Sequence, residues 1–184
     1  MLNRVVSFAV HIELTIPSSV FIALGLVLPI AFHMFGGAGP IFLPMHIPVL
    51  IGGFFLSPML ALSVGVLTPM LSGIITGMPP IFPMMPIMML ELGIYGLTIS
   101  VVKNNVTKNP YFALLASMIL GRVAAGFMVF VLSTFFAAKL PSAIVFITTS
   151  VTTGIPGIVI QLIIIPILVI AINKSNLAIF EGAK

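Results

Sequence analysis

Long apolar runs separated by short Gly- and Pro-rich breaks set the elements of this chain. A membrane-spanning helix needs about 20 mostly apolar residues, and the pattern supplies candidates at about 17–35, 59–75, 86–102, 111–138 and 143–172. The run at about 46–56 is apolar but too short to cross about 30 Å of hydrocarbon at 1.5 Å per residue. Ser57-Pro58 follows it, so 46–75 reads as two helices, one short and tilted. Pro29, Pro69, Pro156 and Pro166 fall inside runs and predict kinks. The pattern predicts an all-α integral membrane protein of six transmembrane helices in one domain over 1–184, with 1–16 as a retained, partly interfacial lead-in.

The breaks are as informative as the runs. The stretch 33–48 holds three Gly, three Pro and two of the three His. Irregular backbone cannot face lipid, because each unpaired N–H or C=O there costs several kcal/mol. This stretch therefore lies at the surface or folds over a protein-lined cavity as a lid. Gly77-Met78-Pro79-Pro80-Ile81-Phe82-Pro83 is a second such break, and 103–110 is the one plainly hydrophilic loop.

Composition narrows the class. Of the 184 residues 60% are apolar and 5% charged, and mean hydropathy is +1.35; a soluble domain carries about 25% charged residues. There is no Cys, so disulfide and thiolate chemistry are excluded. With six spans and both termini cytoplasmic, Arg4, Lys103, Lys108, Lys174 and Lys184 lie inside and Lys139 outside, as the positive-inside rule favours. Both Gly/Pro-rich breaks and the Lys139 connection then fall on the external face, and an outward-facing cavity capped by these loops is the natural reading.

Small residues recur every fourth position at Ser57, Ala61, Gly65, Pro69 and Gly73, at Ala113, Ser117, Gly121 and Ala125, and at Ser19 and Ala23. Such stripes let helix backbones approach closely, within the bundle or against another membrane subunit. The stripe on the first span is the best candidate for docking a partner.

Few residues can carry chemistry. A charge within a span costs roughly 2.5–3.5 kcal/mol on insertion scales, which makes Glu91 and Arg122 candidates for a site. Either they form a structural ion pair, or Arg122 binds a substrate anion through its guanidinium fork while Glu91 orients it or accepts from a substrate hydroxyl or amide. Tyr95 shares the face of Glu91, four residues on. His33 and His46 flank the lid and suit hydrogen bonds to loop carbonyls or a ligand; their spacing fits no zinc pattern, and no metal or cofactor is expected. Thr148, Thr149, Ser150, Thr152 and Thr153 either satisfy backbone around a Pro kink or offer hydroxyls to a ligand. No G-x-S-x-G is present, and no enzyme is expected. No Walker A loop is present either, so any pumping draws energy from a partner. With one carboxylate in the spans, an autonomous secondary transporter or channel for a small organic solute is an under-equipped alternative.

Several motifs resemble the substrate-binding S components of energy-coupling factor (ECF) vitamin transporters: Ala23-Leu24-Gly25-Leu26-Val27-Leu28-Pro29, the run from Gly39 to Leu50, Thr68-Pro69-Met70-Leu71-Ser72, Thr76-Gly77-Met78-Pro79-Pro80, Glu91-Leu92-Gly93-Ile94-Tyr95-Gly96 and Gly121-Arg122. The resemblance spans about 19–172 and is strongest to the pantothenate-type branch. It implies a high-affinity vitamin binder in the bacterial plasma membrane, with pantothenate the best candidate, partnered by a transmembrane T component and two ABC-type ATPases. With this substrate class, the candidate substrate-binding residues of the chain are Arg122, Glu91, Tyr95, His46, Phe42, Met78, Thr152 and Thr153. The family's A-x-x-x-A docking pattern is matched by Ser19 and Ala23, with Ser in place of the first Ala.

Overall fold

The computed structural model describes the backbone of residues 2–33 and 39–174, and side chains for 17–32 and 39–174. The middle of the lid stretch (34–38) and the side chains of His11 and His33 lie outside these. Every element among the described residues is a helix, in the order α1 (Leu2–His33), α2 (Gly39–Phe42), α3 (His46–Phe55), α4 (Pro58–Thr76), α5 (Met84–Asn105), α6 (Pro110–Phe135) and α7 (Ala143–Lys174). This is the all-α membrane bundle that the hydropathy pattern predicts. Among the described residues, helices α4 to α7 are each long and apolar enough to cross a membrane, and the described parts Pro17–Phe32 and Gly39–Phe55 are apolar as well.

Local chemistry sets the helix ends. Pro58 and Pro110 stand in the first turns of α4 and α6, where a missing N–H costs nothing, and the Asn109 side chain accepts from the Tyr111 N–H at 3.0 Å. Helix α4 stops at Gly77, whose φ of 75° closes the last turn in the left-handed region. The short helix α3 ends inside the protein. There Ser100 of α5 donates to the Leu56 carbonyl at 2.8 Å and Lys103 donates to that of Phe54, meeting acceptors that water would otherwise satisfy. Lys103, placed by its polar neighbours in a loop, thus belongs to the last turn of α5.

Close approach of backbones builds the bundle. A Cβ at Gly65 would lie 2.2 Å from the Leu92 carbonyl oxygen, and one at Gly96 would lie 2.4 Å from that of Ala61, so α4 and α5 touch through glycine. Ala113, Ser117, Gly121 and Ala125 are buried, and the ring of Tyr95 lies where a side chain on Gly121 would be. The two long stripes of small residues therefore serve packing within the bundle. Ser19 and Ala23 are exposed, on a face of α1 that also shows Val20, Leu24 and Val27.

The described half of the lid stretch, 39–48, is more helical than its Gly and Pro content predicts. It forms α2, a turn, and the start of α3 at His46. Helix α2 lies on α7, where a Cβ at Gly157 would meet the Ile41 and Phe42 carbonyl oxygens at 2.8 Å. The main apolar cluster joins Phe21, Leu50, Phe54, Leu92, Tyr95, Leu114 and Ile165, and a smaller one joins Ile87, Ala125, Val129 and Leu132.

Candidate functional site

A cavity of about 640 Å³ opens at the end of the bundle where three connections converge: Leu43-Pro44-Met45, Met78-Pro79-Pro80, and Pro141 ahead of α7. Pockets of about 300–1,000 Å³ are the usual size for small-molecule sites. Most of the lining is apolar, from prolines, Phe146 and the methionines Met45, Met78, Met84 and Met88. The polar groups are His46, Glu91, Arg122, Thr149, Ser150 and Thr153.

Glu91 is the centre of the polar cluster. Helix α5 presents Met84, Met88, Glu91 and Tyr95 at spacings that keep them on one face. The Glu91 carboxylate is almost fully buried and its Oε1 gathers three neighbours. Arg122 Nη1 of α6 lies 2.7 Å away, the Tyr95 hydroxyl donates to it at 3.0 Å, and His46 Nε2 lies 3.9 Å away. A hydrogen-bonded ion pair offsets the desolvation of two charges that an apolar bundle would otherwise exclude. Its placement depends on Gly121: with no side chain there, the Tyr95 ring fits against α6 and Arg122, the next residue, comes level with Glu91.

His46 opens α3 and is 4% exposed, yet neither ring nitrogen has a hydrogen-bond partner, and the ring tilts against Tyr95 with centroids 5.6 Å apart. An unsatisfied buried polar group costs about 1–3 kcal/mol. A polar side chain kept at that cost on a cavity wall is suited to a visiting partner. His46→Phe is therefore expected to raise the stability of the ligand-free chain by about 1 kcal/mol, read by thermal unfolding in detergent, while weakening solute binding. A variant less stable than the parent would show that the imidazole has a structural partner.

Of the two arrangements the sequence left open for Glu91 and Arg122, the structure shows the ion pair. Of the other expected site residues, His46, Met78 and Thr153 line the cavity, and Tyr95 reaches it through Glu91. Phe42 does not: its ring packs on Phe32 at 5.7 Å between centroids, and its backbone seats α2 on α7. Thr152 does not either, since it is exposed and its hydroxyl donates to its own helix, at Thr148 O (2.9 Å) and Thr149 O (3.0 Å). Thr149 and Ser150, from the same hydroxyl cluster, line the cavity in its place. Met84 and Met88 line the cavity too and were not expected there, although their spacing from Glu91 is a legible signal. Arg122 also borders a second cavity of about 350 Å³ between α6 and α7, lined by Met118, Ile147, Val151 and Gln161 among others.

Comparison with curated proteins and with solved structures found no significant match. A family model described as "ECF transporter, substrate-specific component" matches residues 14–169, a region that takes in every cavity-lining residue above. With the match running over most of its length, the chain belongs to the family of ECF transporter substrate-specific components.

Proposed function

We propose that this chain captures a small water-soluble vitamin or vitamin precursor at the outer face of a bacterial plasma membrane. It then hands the solute to an ATP-driven complex made with a T component and two ABC-type ATPases. Family membership implies a small-molecule substrate and partner subunits. The observation that carries the reading is the cavity itself, with an apolar wall, a few convergent polar groups and loops over its mouth. The charge distribution supports cytoplasmic termini and an external mouth. The exposed small residues Ser19 and Ala23 support α1 as the face that docks the T component.

Pantothenate is the candidate that the motif resemblance names. Its hydroxyls and amide match Thr149, Ser150, Thr153 and His46, while its carboxylate would have to share Arg122 with Glu91. Titration calorimetry of the purified chain against a panel of water-soluble vitamins tests the binding role, and saturable binding of one panel member is expected. Proteoliposomes test the energetics. The chain alone should bind but not accumulate solute, and uptake without partner subunits or ATP would make it an autonomous transporter instead.

A further inference from the structure

We infer that the cavity selects by charge: it takes solutes without a net negative charge and discriminates against carboxylates. This rests on the vitamin-binding reading and specifies the class of solute within it. Among the described residues lining the cavity, Glu91 and Arg122 are the only acidic and basic side chains, His46 apart. They face each other at 2.7 Å, so the guanidinium is already compensated before any ligand arrives. Around them the wall is proline, methionine, Phe146 and three hydroxyl residues, none of which offsets a formal charge.

A ligand carboxylate entering this space has two poor options. It can sit uncompensated beside an apolar wall, where an unpaired buried charge is expensive. Alternatively it can draw Arg122 away from Glu91 and leave one carboxylate bare close to another. An uncharged ligand meets neither problem. Arg122, Tyr95 and His46 contact Glu91 at Oε1, and Glu91 borders the cavity, so its carboxylate can also accept from a ligand N–H or O–H. The other N–H groups of the Arg122 fork can donate to a ligand carbonyl or ring nitrogen. His46, with both nitrogens unpartnered, supplies a further contact of either sense. The matching solute is compact and neutral, with a donor and an acceptor close together on one edge and an apolar body against the methionines.

Matched pairs differing in one carboxylate test this on the full-length purified chain: pantothenol and pantothenate, nicotinamide and nicotinate, pyridoxine and 4-pyridoxate, biotinamide and biotin. For any pair that binds, the uncharged member should bind at least about 10-fold tighter by calorimetry. In Glu91→Gln, where Arg122 is no longer compensated, the preference should move toward the acid. Should Glu91→Gln fail to fold, the comparison in the unaltered chain still decides. An acid that binds as well as or better than its neutral mate overturns charge selection while leaving the vitamin-binding reading in place. No binding by either member of any pair, or by any other vitamin of the panel, overturns the vitamin-binding reading, and this inference with it.

Discussion

Arg122→Ala is expected to destabilise the ligand-free chain by about 3–5 kcal/mol, the range for removing one member of a buried ion pair. The cost arises chiefly at Glu91. Glu91 is 3% exposed, and among the described residues Arg122 is the only Lys or Arg within salt-bridge distance of it; His46 Nε2 stands at 3.9 Å. With the guanidinium gone, the charge keeps one good hydrogen bond, from Tyr95. Adding Glu91→Gln should recover most of the loss, because the remaining group is then neutral and can still accept from Tyr95. The double-mutant cycle isolates the pair from the lost packing of the long Arg stem. Thermal unfolding in detergent measures all three variants. If the single variant melts with the parent, or the second substitution recovers nothing, the pair does not hold α5 to α6. Binding should weaken as well in Arg122→Ala, since the same guanidinium borders the cavity.

That the pair was visible in the sequence, and its geometry was not, has a physical basis. Glu91 and Arg122 stand out because a charge in a lipid-spanning helix has few reasons to be there. Whether Arg122 faces Glu91 or a ligand depends on the register of α5 against α6. That register is set by a ring filling the space over a glycine, Tyr95 against Gly121, and hydropathy carries no record of it. The hydroxyl cluster on α7 shows the same limit. At 100° per residue, Thr149, Ser150 and Thr153 fall within one sector and Thr152 falls to one side of it. Choosing the sector that faces inward requires the rotation of α7, which the seating of α2 on Gly157 fixes. Phe42 lies outside the cavity lining for a related reason. Its place in a Gly/Pro-rich stretch suggested a ligand contact, but α2 is helical and turns the ring toward Phe32. By contrast, the broken loop at 77–83, the short helix ending before Ser57-Pro58 and the stripes of small residues are local in sequence and could be read directly.

Gly65→Ala is expected to be among the most damaging single-methyl changes in the bundle. Overpacking costs about 1–3 kcal/mol and occasionally more, and the neighbours here put Gly65 at or above the top of that range. The added Cβ would stand 2.2 Å from the Leu92 carbonyl oxygen and 2.5 Å from its carbon, so backbone would meet side chain with no rotamer to relieve it. Helix α5 would have to move bodily, and Glu91 is the residue before Leu92. The same substitution at Gly93, on the opposing helix, is the control. Its nearest neighbours are the Val66 Cγ2 at 3.0 Å and the Leu62 Cδ1 at 3.1 Å, ends of side chains that can give by a few tenths of an ångström. Gly96→Ala, at 2.4 Å from the Ala61 carbonyl oxygen, should fall with Gly65. Unfolding midpoints ordered with Gly65→Ala and Gly96→Ala well below Gly93→Ala would support backbone contact between α4 and α5, and equal midpoints would refute it. Solute affinity should follow the same order, because the displacement that relieves the clash at Gly65 moves Glu91 relative to Arg122 and opens the polar cluster from behind.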